Sequence, residues 1–345
     1  MNNEILYLIS FAAALLISAV ATPLCRFLAV KFNIMDNPIS AVKTHKISTP
    51  YLGGIAIALG CIASLLIIRM ATHFPDGTLR SLRGIIFASV MVMLLGFVDD
   101  AKFKGLGFKS KLVVQFLAAA IVVFGFDIRI NFLSFYPLSC LISIFWIMGI
   151  TNAFNIIDIM DGLSSGISVF AAFAFLFISL PTEMIYVNFC AAALAGAVLG
   201  FMPYNFSKSK KIFMGDTGSL FIGFVLASLA MGTSYTAMNE VGLFAPLLIL
   251  AVPIYETGLV SLFRMRKGKS PFLGSKDHYA LRLEKMGFSR KQILIMTYAA
   301  CIILSFCAFL FTKLPLSYAM MLLFLVLICM WIITVRLASV KIEDN

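Results

Sequence analysis

The chain has 345 residues, of which 61% are hydrophobic and only 12% charged, and its mean hydropathy is +1.01. So much apolar sequence exceeds what a soluble domain of this length can bury, and it leaves no room for a separate soluble domain beside the apolar runs. The net charge of +11 sits in short loops between those runs rather than on a folded basic face with aromatic platforms, which excludes a nucleic-acid partner.

Taken in chain order, the apolar runs predict membrane-spanning helices over 4–29, 51–73, 82–98, 110–126, 138–156, 163–180, 184–203, 216–234, 240–262, 291–312 and 315–336. The fold class is therefore all-α, a polytopic membrane protein of about 11 helices forming one integral-membrane domain over 1–345. Met1 to Glu4 lack the basic start of a secretory signal, so the first span is expected to be retained. Cys25, Cys61, Cys140, Cys190, Cys301, Cys307 and Cys329 all lie in apolar runs without a CxxC pair, as buried small hydrophobes do.

Eleven spans place the termini on opposite sides. One side then collects nearly all Lys and Arg, including the nine in 263–291, and leaves only Arg69, Arg80, Arg83, Arg129 and Lys313 on the other. The excess of positive charge marks the cytoplasmic side. The N-terminus is expected outside, the C-terminus inside.

The acids carry more information. Asp99, Asp100, Asp158, Asp161 and Asp216 fall at cytoplasmic span ends in three different loops. Carboxylates beside the bilayer are costly and are usually kept for a site. Asp99 and Asp100 are adjacent, a repulsion that a divalent metal or a cationic partner would relieve. In 151–163, TNAFNIIDIMDGL, residues Asn152, Asn155, Asp158 and Asp161 recur every third position, which on a helix makes one slowly rotating polar face. In 213–219, FMGDTGS, Asp216 stands between glycines at the start of a span, where unpaired backbone N–H groups suit an anion and the carboxylate suits Mg²⁺.

Basic residues lie on the same side: Lys43 and His45 in 36–54, Lys111 with Gln115 one helical turn on, and His278 with Arg282 in DHYALRL. Mg²⁺ takes oxygen ligands and often shares them with substrate phosphates, and carboxylates with Lys, His and Arg at a membrane surface suit a diphosphate.

This order of motifs, from the DNP…KTH…P…GG loop through NAFNxxDxxDGL and GDTGS to DHYALRL, resembles the polyprenyl-phosphate N-acetylhexosaminyl-1-phosphate transferases, glycosyltransferase family 4, over nearly the whole chain. That family includes undecaprenyl-phosphate GlcNAc-1-phosphate transferases and the phospho-MurNAc-pentapeptide translocase. The resemblance implies that a lipid phosphate attacks the β-phosphate of a UDP-sugar and displaces UMP at the inner face of a bacterial cytoplasmic membrane. It assigns Asp99 to deprotonating or positioning undecaprenyl phosphate, with Asp100 and Asp158 in support. Asn155 and Asp216 are assigned to Mg²⁺, with Mn²⁺ as a substitute. Lys111 is placed near the diphosphate, Asn152 in the same polar cluster and Asp161 at the uridine. Lys43 and His45 belong to the first cytoplasmic loop, and His278 and Arg282 to the sugar- and phosphate-facing last loop. The relatives suggest a homodimer.

Three departures bear on the substrate. Ile159 replaces the first glycine of DGxDG, Ala280 and Leu281 replace two histidines of DHLHHRL, and Glu256 stands where PxxDT has its Asp. The single His278 argues against the pentapeptide translocase; UDP-GlcNAc is the default donor, with UDP-GalNAc or a modified hexosamine as alternatives. Rival readings are a transporter built around Glu256, or a scaffold that keeps the fold without activity. A transporter would place its ionisable residues near the midplane, often in repeated halves, whereas here the acids other than Glu256 cluster at one surface and no repeat is visible.

Overall fold

In a computed structural model, residues 3–38, 47–102, 105–182, 184–232, 240–270, 276–340 and 342 are described. Lys43 and His45 lie outside the described residues. Where the sequence is a long apolar run without internal polar punctuation, the chain closes its own backbone hydrogen bonds as helix, the arrangement that a hydrocarbon environment demands. The helices are α1 (Asn3–Lys31), α2 (Gly53–Ala71), α3 (Asp76–Ala101), α4 (Phe108–Ala120, continued by a π turn over Ile121–Gly125), α5 (Tyr136–Ile157), α6 (Leu163–Ser179), α7 (Ile185–Asn205), α8 (Gly215–Gly232), α9 (Ala245–Ile249), α10 (Ala251–Arg266), α11 (Tyr279–Lys285), α12 (Arg290–Phe311) and α13 (Leu316–Ala338). Among the described residues the only sheet is a two-residue pairing of β1 (Met35–Asp36) with β2 (Thr49–Pro50).

Each predicted span corresponds to an apolar helical segment. Among the described residues, nine helices are long and apolar enough to cross a membrane, which makes this a multi-pass membrane protein. Two segments differ from the expectation. Helix α6 has 17 residues and is shorter than a full crossing. The predicted span 240–262 is broken: the helical stretch ending at Ile249 and α10 meet at 67° about Leu250. Pro253 accounts for the break, because it has no N–H for the carbonyl four residues back and its ring crowds that carbonyl.

The described residues form two compact units, 3–38 with 47–232 and 240 onward. In the first, α8 is the central element and packs against α2, α3 and α5. Its sequence, GDTGSLFIGFVLASLAMG, is rich in Gly, Ala and Ser, which lets neighbouring backbones approach closely where no hydrophobic force draws helices together. A Cβ on Gly54 of α2 would lie 2.1 Å from the backbone nitrogen of Gly218. Backbone bonds from Gly53 to Phe213 and from Gly54 to Met214 fix the same contact and hold the start of α8 against the start of α2.

In the second unit the short helix α11 is the hub. Glu256 of α10 accepts the Tyr279 N–H, the Tyr279 hydroxyl meets Thr297 of α12, and Arg282 donates to the carbonyls of Leu337 and Val340 at the end of α13. Helix α13 itself leaves Met321, Phe324 and Trp331 bare, as a lipid-facing helix does.

Candidate active site

Four helix ends of the first unit bring its polar motifs together. At the centre is Lys111 on the first turn of α4. Its Nζ donates to Asp99 Oδ2 at 2.7 Å and to Asp216 Oδ2 at 2.6 Å. Asp99 also accepts the backbone N–H of Leu106, which folds the connection from α3 to α4 back over the carboxylate. The other oxygen of Asp216 accepts from Asn155 Nδ2 at 2.8 Å, and the same amide reaches Ser219 Oγ at 3.1 Å. One turn along α4, Gln115 exchanges hydrogen bonds with Asn152 of α5, and Asn152 Nδ2 donates to Gln115 at 2.6 Å. The one-turn spacing of Lys111 and Gln115 thus matches that of Asn155 and Asn152 on the facing helix.

Asp100 points elsewhere. Its Oδ1 accepts the Asp216 N–H at 3.0 Å, and its Oδ2 accepts both the Thr217 N–H at 3.0 Å and the Thr217 hydroxyl at 2.6 Å. These are orphan donors of the first turn of α8, so Asp100 caps that helix from another element. The anion that these N–H groups suit is thus an internal carboxylate and not a bound phosphate. Gly215 makes the cap feasible: its φ is +69°, and a Cβ there would lie 2.3 Å from Asp100 Oδ2.

The polar face expected over 152–161 is likewise divided. Helix α5 ends at Ile157, Asp158 leaves the helical conformation with ψ at 61°, and Gly162 starts α6 with φ at +78°. Asn152 and Asn155 are therefore helical, whereas Asp158 and Asp161 lie in the connection. Asp161 pairs with Lys211 at 2.6 Å, and that lysine also lies over the Phe213 ring. Asn205 ties the two loops together by accepting the Gly162 N–H at 2.7 Å and donating to the Ile212 carbonyl at 3.2 Å. Asp158 takes no side-chain hydrogen bond among the described residues. Burial, with the negative charges of Asp216, Asp161 and Asp100, raises its carboxyl well above the usual range.

His278 and Arg282 belong to the second unit. His278 Nδ1 lies 2.7 Å from Glu256 Oε1. Arg282 is 3% exposed and its guanidinium is committed to Asp277 at 2.9 Å, to the carbonyls of Leu337 and Val340, and to the face of the Phe263 ring. Asp277 also pairs with Lys267. Arg282 is thus a structural tie in this conformation, and not a side chain presented to a ligand.

Sequence reasoning passed over Lys211, Asn205 and Thr217. Lys211 stood in a basic run that read only as topology, and nothing in the sequence announces the partners of Asn205. Glu256, by contrast, carried a signal as an acid within an apolar run.

Among the described residues no three His, Cys, Asp or Glu side chains converge as a metal cage. What Asp99, Asp216 and Asn155 offer is a small set of oxygen donors, with Asn155 able to present its carbonyl oxygen by a half-turn of the amide. Two carboxylates and an amide fit Mg²⁺, which keeps several waters and shares its remaining positions with phosphates.

The profile of glycosyl transferase family 4 matches residues 82–234, the stretch that holds this cluster. The chain is 30% identical to the probable undecaprenyl-phosphate N-acetylglucosaminyl 1-phosphate transferase of Bacillus subtilis, over 94% of this chain and 90% of that protein. It is 29% identical to the decaprenyl-phosphate N-acetylglucosaminephosphotransferase of Mycolicibacterium smegmatis, over 85% of this chain and 79% of that protein. It is 31% identical to the phospho-N-acetylmuramoyl-pentapeptide-transferase of Bacillus licheniformis, over 86% of this chain and 94% of that protein. With the motifs, their meeting at the ends of α3, α4, α5 and α8, and relatives that span nearly its whole length, the chain belongs to glycosyl transferase family 4.

Proposed function

We propose that the protein transfers a sugar 1-phosphate, GlcNAc 1-phosphate by first choice, from a UDP-sugar to undecaprenyl phosphate with release of UMP. The observation that carries this reading is the single ammonium of Lys111 held between Asp99 and Asp216. An ammonium has three donors, and two are used by these carboxylates. The third is left for a phosphate oxygen. The names of the relatives from Bacillus subtilis and Mycolicibacterium smegmatis support the acceptor and the sugar.

In this reaction an oxygen of the lipid phosphate forms a bond to the β-phosphorus of the donor, the bond from that phosphorus to the bridging oxygen breaks, and UMP departs with that oxygen. A phosphate monoester is already largely ionised near neutral pH, so the barrier is the approach of two anions rather than the removal of a proton. Lys111 supplies positive charge at that approach. Asp99 orients Lys111 and positions the attacking phosphate. Asp216 and Asn155 would hold Mg²⁺, which would supply charge neutralisation on the diphosphate. Asp100 keeps the first turn of α8, and with it Asp216, in place. Asp161 and Lys211 face the nucleoside end of the donor. With eleven spans, the N-terminus outside and the C-terminus in the cytoplasm, the site opens on the cytoplasmic face, where the lipid head meets a soluble nucleotide.

The test is UMP release by purified protein given undecaprenyl phosphate, Mg²⁺ and a panel of UDP-sugars, beside Asp216→Asn and an EDTA-treated sample. Release with one UDP-hexosamine, lost in the variant and in EDTA, is expected. Absence of release with every UDP-hexosamine from folded protein would sink the reading. Release only with UDP-MurNAc-pentapeptide would move the protein to the chemistry named for its Bacillus licheniformis relative.

A further inference from the structure

Helix α4 carries Lys111 and has little packing to fix its orientation. Over Phe108–Ala120 it buries Gln115, Ala118 and Ala119, whereas Phe108, Val113, Phe116 and Leu117 are exposed, as on a lipid-facing helix. Alanines let helices approach but interlock poorly, and in an apolar surrounding no hydrophobic force sets the rotation of one helix against another. Gln115 is the buried polar side chain of α4, and it meets Asn152 of α5 in a two-way exchange. Gln115 Nε2 donates to Asn152 Oδ1 at 3.3 Å, and Asn152 Nδ2 donates to Gln115 Oε1 at 2.6 Å. Asn152 Nδ2 also donates to the Met148 carbonyl at 2.7 Å, so both of its donors are spent inside the protein.

We infer that Gln115 and Asn152 are positioning residues for Lys111, an amide pair that sets the rotation and depth of α4 so that the ammonium lands between Asp99 and Asp216. Lys111 and Gln115 stand four residues apart on one face of α4, and a slip by a single residue would turn that face by about 100°. Two amides suit this task. Each offers a donor and an acceptor at fixed spacing, and any other register strands those groups in an apolar layer. The facing helix keeps the matching spacing: Asn152 lies three residues before Asn155, whose amide holds the other oxygen of Asp216 at 2.8 Å. Asp216 is thus gripped from α4 and from α5, and the amide exchange one turn along keeps the two grips aligned. Gln115 and Asn152 act through Lys111 and Asn155. The effect on turnover rests on the transferase reading, whereas the placement of Lys111 does not.

Two measurements on the full chain test it, for wild type, Gln115→Met, Asn152→Leu, the double variant and the exchanged pair Gln115→Asn with Asn152→Gln. The first is acetylation by acetic anhydride, read by mass spectrometry as the ratio of Lys111 to the exposed Lys109. Held between two carboxylates, Lys111 should react slowly in wild type, and the ratio should rise several-fold in Gln115→Met and in Asn152→Leu. The second is kcat and KM for the UDP-sugar. Either single variant should lower kcat roughly 10- to 100-fold with KM little changed, and the double variant should lie within about twofold of the worse single one. The exchanged pair, which restores an amide on each helix, should recover part of both properties. Gln115→Asn serves where Gln115→Met fails to fold. An unchanged labelling ratio in the folded single variants would overturn the inference. So would losses of kcat that multiply in the double variant, or a raised KM in Asn152→Leu alone, which would place Asn152 on the substrate. Labelling does not depend on turnover, so absence of UMP release by the wild type would defeat the transferase reading separately.

Discussion

The Asp100 carboxylate takes two hydrogen bonds from Thr217, one from the backbone N–H at 3.0 Å and one from the hydroxyl at 2.6 Å. The residues are 117 positions apart, and their pairing joins the end of α3 to the start of α8. Thr217→Val removes the hydroxyl and keeps the backbone donor, so it should cost about 1 kcal/mol, whereas Asp100→Ala strands every donor it had capped and should cost about 1.5–3 kcal/mol. Because Thr217 acts here through Asp100, the double variant should be no less stable than Asp100→Ala. Melting of the four proteins in one detergent checks this.

Lys111 balances two carboxylates, and its loss leaves both facing each other. Lys111→Met should reduce UMP release at least 100-fold, while Lys111→Arg, which keeps the charge but not the compact ammonium, should retain a measurable part of it. The check is kcat at saturating UDP-sugar.

Asp158 makes folding depend on pH in a defined direction. Its carboxyl is raised in the folded state, chiefly by burial and then by Asp216, Asp161 and Asp100. The folded protein therefore holds this proton more tightly than the unfolded chain, whose Asp titrates near about 3.9. The stabilisation is complete below that value and is lost as pH rises through the raised one. Asp158→Asn removes the titration, so its melting temperature should gain on wild type as pH increases from about 4 in metal-free buffer.

Arg282 fills a buried position with little tolerance. Removing it leaves Asp277 deprived of one cation, which for a buried pair costs about 3–5 kcal/mol. Arg282→Lys should recover little of this, since a lysine cannot reproduce the fork that serves Asp277 and two carbonyls. The variants should melt early yet show an unchanged KM for the UDP-sugar per folded molecule.

The helices were legible because long apolar runs admit little else. The break at Leu250 was foreshadowed by Pro253, but periodicity alone runs through it. At the site, the residue types were legible and their partners were not. Asp99, Lys111 and Asp216 stood out singly, yet nothing local says that one ammonium joins carboxylates from α3 and α8. The start of α8 shows why: its glycines and free N–H groups match a phosphate cradle in sequence, and the carboxylate that fills the cradle comes from more than a hundred residues upstream. The three-residue spacing of Asn152, Asn155, Asp158 and Asp161 misled for a similar reason, because Gly162 starts a new helix and the last two acids turn away from α5.

With Asp100 filling the amide cradle of α8, the proposed transfer leaves phosphate recognition to side chains. Backbone amides survive almost any substitution and make an anion site that is hard to lose and hard to alter. A site made of Lys111, Asp99, Asn155 and Asp216 can be changed by exchanging a single codon. A fold built this way can lose the proposed catalysis through one side-chain exchange while its helices stay in place.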